Sequence, residues 1–172
     1  RDTDGDGRAD EQEVLYTGFK LANPQHRING FVPEGDGWFQ LASGDNNKTI
    51  TSTKTGETLD MSGRDIRIHP ESGRMEAITG RSQWCRTVDA QGNWFGNDNS
   101  DPLYHFVIED RYLKRNPFVA APDPKVFLTT PHRAPPVYPT SRTLDRFNDL
   151  FALNRFTSAC SPYVWQSAST PD

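Results

Sequence analysis

Short stretches that alternate apolar and polar residues, separated by glycine-containing turns, recur along this chain. The clearest example begins with Phe31 and Val32, turns at residues 35–37 (Gly-Asp-Gly), continues through residues 38–42 and ends at Gly44-Asp45. An Asp-Gly turn between two apolar runs is a strong local signal for a β-hairpin. The pattern therefore predicts two antiparallel strands joined by a tight turn.

A second hairpin is predicted over residues 64–79. Ile66 and Ile68 share one face of its first strand, and residues 70–73 (Pro-Glu-Ser-Gly) form its turn.

Residues 91–95 partly repeat the sequence of residues 35–39 at an offset of 56 positions, and residues 103–108 predict a further strand. Repeats of about 40 to 60 residues are typical of successive propeller blades. The sequence therefore predicts an all-β protein, a β-propeller with about three blades present.

The remaining segments complete the predicted organisation. Residues 13–19 read as a strand closed by Gly18, and residues 46–60 as an exposed loop or a short edge hairpin. Seven of the 13 prolines lie in residues 116–140, which predicts an extended connector. A short helix capped by Ser141 or Thr143, then a returning strand over residues 156–165, should follow. One face of this helix would carry the apolar residues Leu144, Phe147, Leu150 and Phe151.

These segments divide one partial propeller domain, residues 1–172, into four parts: residues 1–19, the blade hairpins of residues 20–115, the connector, and residues 141–166. A closed propeller needs more blades than this length supplies, so we expect a partial chain. Lys and Arg number 19 against 23 Asp and Glu, a net charge of −4. No basic cluster occurs, which disfavours nucleic acid as a partner. No apolar run reaches the roughly 18 residues of a membrane span.

The two cysteines, Cys85 and Cys160, have two possible states. They could form a single bridge in an exported protein, or remain two buried free thiols. Neither lies in a Cys-x-x-Cys motif, so haem attachment within this segment is not expected. Sequence motifs of hydrolases, kinases and zinc proteases are also missing.

The first residues match the calcium-loop pattern D-x-D-x-D-G-x5-E. Calcium prefers six to eight oxygen ligands, and so many carboxylates in twelve residues would repel one another without a cation. The alternative is a solvated acidic turn. The predicted ligands are the carboxylates of Asp2, Asp4, Asp6, Asp10 and Glu13, with the backbone carbonyl of Arg8.

The spacing around the first hairpin resembles that of soluble quinoprotein glucose and sorbosone dehydrogenases. His26 precedes Asp36 by ten positions, and Asp36 precedes Asp45 by nine, as in a blade hairpin of that family. A closer resemblance is to the PVC-type membrane-bound dehydrogenases, whose propellers are related. The matching segments, within residues 2 to about 165, are residues 2–7, 25–27 with 29–30, 63–67, 81–84, 97–100, 110–112 and 156–160.

The resemblance implies an exported oxidoreductase, periplasmic or extracellular, that oxidises a sugar or another alcohol. It implies pyrroloquinoline quinone as cofactor beside calcium, a cytochrome c-type electron acceptor, and a haem module outside this chain. Membrane association would come from regions not present. The alternative is a non-catalytic propeller that has kept its blades and only binds a ligand, either carbohydrate or a partner protein.

The same resemblance gives individual residues their predicted roles. His26 would be the general base on the substrate hydroxyl, a task that suits an imidazole because its pKa is near neutrality. Arg81, or the competing Arg86, would contact the quinone carboxylates through a bidentate guanidinium. Asn29 and Asp45 would line the cofactor site at strand ends. Structural alternatives are a surface imidazole, an inter-blade salt bridge and a capped turn.

Overall fold

Three antiparallel β-sheets make up the part of the chain that the computed structural model describes, residues 1–21, 23–44, 49–61, 63–138, 140 and 154–166. The all-β prediction is therefore confirmed. The only other regular elements in this part are a 3₁₀ turn, Pro24–His26, and one turn of α-helix, α1. The bounds are β1 (Tyr16–Thr17), β2 (Asn29–Gly35), β3 (Trp38–Ala42), β4 (Thr49–Ser52), β5 (Thr58–Asp60), β6 (Asp65–His69), β7 (Arg74–Ile78), β8 (Arg86–Val88), β9 (Trp94–Gly96), β10 (Tyr104–Phe106), α1 (Asp110–Leu113) and β11 (Lys125–Phe127).

The first four-stranded sheet has the order β2-β3-β6-β7 and contains both predicted hairpins. Asp36 and Gly37 join β2 to β3 with φ angles of +47° and +77°. Two positive φ angles are what a type I′ turn requires, and Asp and Gly adopt them more readily than most residues. β6 and β7 form the second hairpin, with Arg67 opposite Glu76.

The apolar core lies between one face of this sheet and the three-stranded sheet β1-β4-β5. Alternation along β6 directs Ile66 and Ile68 to that face and Arg67 to the other. Burial of each large aliphatic side chain contributes about 1.5–3 kcal/mol. The buried members of the core are Leu41, Ile50, Met61, Ile66, Ile68 and Met75.

The second four-stranded sheet has the order β11-β10-β9-β8, so each strand pairs with the next one along the chain. Its last strand, β11, lies inside the proline-rich segment predicted as a connector. Pro124 directly precedes β11, and β11 is an edge strand, a sheet position that tolerates proline. The connector prediction was therefore incomplete, because β11 within this segment pairs with β10 and extends the second sheet.

Several other predictions need correction or remain outside the described residues. The strand expected over residues 13–19 is only the two residues of β1, whereas residues 46–60 do contain a hairpin, β4 and β5. The helix predicted after residue 140 falls on residues 141–153, which are not described. Residues 156–165 form no regular strand, and one isolated bridge joins Pro136 to Arg155 nearby.

The two four-stranded sheets meet at their first strands, since β8 packs against β2 and β3. Gly30 of β2 has φ +67°, and a Cβ there would lie 2.6 Å from the Cα of Cys85. This close approach of two backbones explains the glycine. Cys85 is half-buried and Cys160 exposed, and both are free thiols, so neither is buried as one alternative required. Among the described residues, no helix has the length and apolarity to cross a membrane.

Candidate functional site

Three of the predicted site residues lie at the end of the sheets where the chain enters β2, leaves β3 and enters β8. We call this region the loop end; it comprises residues 26–29, 43–44 and 81–85. Gly44 lies at its centre: a Cβ there would be 2.5 Å from the carbonyl oxygen of His26. Arg81 donates from Nε to the carbonyl oxygen of Gly44 at 3.4 Å. The backbone carbonyl of His26 and the side chain of Arg81 therefore both lie beside the same glycine.

The exposure of these two side chains suits contact with a ligand. His26 is half-buried at the end of the 3₁₀ turn, and Arg81 is exposed. A cationic guanidinium can bind an anionic group there, and an imidazole can accept a proton. Asp45, the fourth predicted residue of this region, lies outside the described residues.

Asn29 uses its carboxamide to hold the loop end together. Its amide nitrogen donates to the carbonyl oxygens of Arg27 at 2.8 Å and Gln83 at 2.9 Å, and its oxygen accepts the Cys85 N–H at 2.7 Å. These bonds join the start of β2 to the approach to β8. Any cofactor contact of Asn29 stays a prediction, since most of its hydrogen-bonding capacity is already in use.

Arg86 lies inside the molecule rather than at the loop end. Its guanidinium is 2% exposed and pairs with Asp65 at 2.6 Å, and it also donates to the Thr79 carbonyl at 2.8 Å. Burial lowers the pKa of Arg86, while the Asp65 carboxylate opposes this effect. Arg86 therefore holds the two four-stranded sheets together, and Arg81 is left as the loop-end arginine.

Asp65 supports the loop end through buried hydrogen bonds. One of its carboxylate oxygens accepts the backbone N–H groups of Ser43 and Ser82, each at 2.9 Å, and the other accepts the Ser82 hydroxyl at 2.8 Å. Ser43 and Ser82 directly neighbour Gly44 and Arg81 in the chain. The buried carboxylate thus fixes the backbone on both sides of the candidate site. Sequence reasoning missed this residue, because an Asp at the start of a strand looks like an ordinary turn residue.

The acidic N-terminal loop brings three of the predicted calcium ligands together. The carboxylate oxygens of Asp2, Asp4 and Asp10 lie within 4.8 Å of one another. Asp6 is outside this group and accepts the Arg8 N–H at 2.8 Å, while Glu13 pairs with Arg1 at 3.4 Å. A set of three converging carboxylates matches the oxygen chemistry that calcium prefers.

Hydrogen bonds stabilise the ionised forms of two of these carboxylates. Asp2 accepts the N–H groups of Gly5 at 2.7 Å and Gly7 at 2.9 Å, which lowers the pKa of Asp2. Asp10 accepts the Thr3 hydroxyl, and this bond lowers the pKa of Asp10. Both residues are therefore ionised at neutral pH, as metal ligands must be.

A concave region is lined by residues of both four-stranded sheets. This inter-sheet cleft has a volume of about 510 Å³. Gln40, Arg67 and Glu76 line it from the first sheet, and Arg86 and Trp94 from the second. Sequence reasoning missed it: the alternation in β6 and β7 predicts a polar face, but does not predict that this face meets another sheet.

A family model described as "Domain of unknown function (DUF7133)" matches residues 1–172, so the chain belongs to the DUF7133 family. The fold and the candidate site define the chain only as an all-β protein with an arginine and a histidine at one sheet end. Comparison with curated proteins and with solved structures found no match.

Proposed function

We propose that this chain is part of a calcium-binding β-propeller oxidoreductase that oxidises a sugar or another alcohol with a quinone cofactor. The observation that carries the proposal is that the His26 backbone and the Arg81 side chain both contact Gly44 at one end of two successive sheets. The two sheets support a propeller because each is a four-stranded antiparallel sheet and their first strands pack together, as in neighbouring blades. Activity in the periplasm or outside the cell, with a cytochrome c-type acceptor, belongs to the same proposal.

In this proposal the substrate hydroxyl lies against His26 at the loop end. The imidazole takes the hydroxyl proton while the carbinol C–H bond breaks and its hydride leaves, so that the alcohol becomes a carbonyl compound. Arg81 would hold pyrroloquinoline quinone, which would supply the hydride acceptor for this oxidation. Arg81 holds an anionic group of the cofactor, and Asp65 keeps the backbone that carries Arg81 in place.

The test is dye-linked oxidation of a panel of sugars and alcohols by the full-length protein with pyrroloquinoline quinone and calcium. His26→Ala should lower kcat by about 10²–10⁴-fold, the usual contribution of a general base. The matched control is His132→Ala, which removes another partly exposed imidazole outside the proposed machinery. Absence of turnover and of quinone binding in the native protein would overturn the proposal.

The calcium site is proposed on Asp2, Asp4 and Asp10. Calcium titration followed by calorimetry should show binding that Asp10→Asn weakens about tenfold or more, because one charged ligand is lost. Asp36→Asn is the control: it removes one acidic charge from a turn where Asn accepts the same positive φ. Equal calcium affinity in all three proteins would show that the acidic loop is only a solvated turn.

A non-catalytic binding propeller is the second candidate. The inter-sheet cleft favours it, because the cleft combines an aromatic ring with polar groups and none of the loop-end residues lines it. Saturable ligand binding without any dye reduction would support this candidate over the oxidoreductase.

A further inference from the structure

Residues 111–122, which run from α1 toward β11, form an exposed segment that we call the arm. Every residue of the arm is exposed except Leu113, which is half-buried. Three of its large apolar side chains are open to solvent: Tyr112 is 55%, Phe118 95% and Val119 62% exposed. Contiguous apolar surface that a folded protein exposes commonly marks an interaction site. The arm is therefore a candidate interaction surface.

A turn at Asn116 brings the two halves of the arm together around a groove, the arm groove. The Asn116 side-chain oxygen accepts the Phe118 N–H at 3.0 Å, and its carbonyl oxygen accepts the Val119 N–H at 3.4 Å. The groove has a volume of about 570 Å³, and binding pockets commonly measure about 300–1,000 Å³. Its apolar lining consists of Ile108, Tyr112, Leu113, Val119, Ala121 and Pro122. Because Tyr112 and Val119 are exposed and also line the groove, the groove is continuous with the exposed apolar surface.

The arm is positively charged. It contains the cations Arg111, Lys114 and Arg115 and no acidic residue. Arg115 also lines the groove, so a guanidinium lies directly beside the apolar lining. A guanidinium binds carboxylates through strong, charge-assisted hydrogen bonds. The arm groove therefore suits a partner that combines apolar side chains with carboxylates.

The other two cations of the arm are available to a partner at little cost. Arg111 lies 2.7 Å from Glu109, and Lys114 lies 2.5 Å from Asp110. The cationic side chains of these pairs are exposed, and exposed ion pairs contribute little to stability. If Lys114 turned to a partner, Asp110 would keep its second cation, Arg64, at 2.8 Å.

Two kinds of partner combine anionic with apolar groups, an acidic protein segment and an anionic membrane, and the surroundings of the arm favour the protein segment. Glu109 and Asp110 precede the arm and Asp123 follows it, so a broad anionic surface would meet like charges at both ends. A concave groove encloses single side chains, whereas a bilayer contacts a protein over a broad surface.

We infer that the arm groove is a docking site for an acidic segment of a partner protein. One or two large apolar side chains of that segment enter the groove and pack on Tyr112 and Val119, and its carboxylates lie against Arg115 and Lys114. Apolar anchors that enter a groove, with charged groups around them, are a common mode of peptide recognition. The inference does not rest on the proposed oxidation, because no residue of the loop end belongs to the arm.

The experiment is a fluorescence anisotropy titration of the full-length protein with fluorescein-labelled synthetic peptides. The probe set consists of short peptides in which Leu and Phe are interspersed among Asp and Glu. One comparison set carries Lys in place of Asp and Glu, and another carries Ser in place of Leu and Phe. The acidic apolar peptides should bind saturably and about tenfold or more tightly than either comparison set, because each comparison loses one kind of contact.

Two substitutions in the arm test the apolar and the charged contact separately. Val119→Thr keeps the shape of the side chain but adds a hydroxyl to the groove wall, and should weaken peptide binding about fivefold or more. Arg115→Gln removes the cation that lines the groove and should weaken binding about two- to fivefold, as expected for an exposed charge pair.

Val14→Thr and Arg133→Gln are the matched controls. Val14 is 61% exposed, close to the 62% of Val119, and Arg133 is exposed like Arg115, and neither control residue belongs to the arm. Both variants should bind the peptides like the native protein. Circular dichroism and thermal melting identify any variant that has not folded.

Hydrogen exchange of the native protein provides a readout that does not depend on variants. A bound acidic peptide should slow exchange in residues 112–121 of the arm and leave residues 81–85 of the loop end unchanged. Absence of saturable binding, equally tight binding of the Lys-containing peptides, or slowed exchange only outside the arm would overturn the inference. Binding to phosphatidylserine vesicles that Val119→Thr abolishes, without binding of the acidic peptides, would also overturn it and make the arm a membrane contact. Slowed exchange in the arm without dye-linked turnover would retain the inference and reject the proposed oxidation.

Discussion

At the scale of single residues, the ion pair between Arg86 and Asp65 makes the sharpest stability prediction. The two side chains are 2% and 0% exposed. Removing one partner of a buried pair leaves the other charge without compensation and costs about 3–5 kcal/mol. Arg86→Met should therefore lower the free energy of unfolding by this amount in urea denaturation.

The control for this prediction is Arg74→Met. Arg74 lies 3.7 Å from Glu76 in an exposed pair, and such pairs contribute about 0–1 kcal/mol. Similar losses of unfolding free energy in the two variants would show that burial does not determine how much the Arg86 pair contributes to stability.

Asp101 makes a prediction about pH. Burial, together with the nearby Asp98, raises the pKa of Asp101 above its ordinary value of 3.8. The folded state therefore binds this proton more tightly than the unfolded state, so the contribution to stability is full below pH 3.8 and is lost as the pH rises through the raised pKa. Asp101→Asn should remove that decline. Urea denaturation of both proteins between about pH 3 and pH 6 measures it, and parallel curves would contradict the assignment.

At the scale of elements, two glycines with nearly the same φ angle distinguish the contribution of backbone strain to stability from that of side-chain packing. Gly80 and Gly92 have φ angles of +84° and +85°. A Cβ at Gly80 would lie 1.8 Å from Phe106 Cε1, whereas a Cβ at Gly92 would meet nothing within 4 Å. Gly92→Ala should lower the free energy of unfolding only by the strain of a positive φ angle, about 1–2 kcal/mol.

Gly80→Ala should lower the free energy of unfolding by the same strain and by about 1–3 kcal/mol more, because Phe106 must move in a packed region. Thermal and urea unfolding of the two variants measure the difference. Equal losses would mean that Phe106 relaxes without cost.

Elements that depend on neighbouring residues were predictable, whereas those that depend on distant residues were not. The turn at Asp36-Gly37 is local chemistry, and the alternation of Ile66 and Ile68 directly predicts a buried face. β11 was missed because its pairing with β10 comes from the sheet, not from residues 125–127. Arg81 and Arg86 share one side-chain chemistry, and only the position of Asp65 in three dimensions distinguishes the exposed arginine from the buried one.

At the scale of the whole molecule, the two faces of the first sheet have different partners. One face forms the apolar core with the three-stranded sheet, and the other carries Gln40, Arg67 and Glu76 toward the second sheet. A polar strand face usually predicts solvent. Here it borders an inter-sheet cleft instead, which explains why the sequence indicated the loop-end residues and not the cleft.

The free edge of β11 makes the last prediction. In the described part of the chain, β11 ends its sheet, and Val126 and Leu128 are 46% and 48% exposed. Exposed strand edges with apolar side chains promote pairing with other chains. The protein should therefore self-associate across roughly 1 µM to 1 mM in analytical ultracentrifugation. Val126→Lys should weaken this association, since a charge on an edge strand opposes pairing. Thr58→Lys places the same charge on the edge strand of another sheet and should leave it unchanged; a monomer at every concentration, or equal effects of both variants, would show that β11 is not the contact.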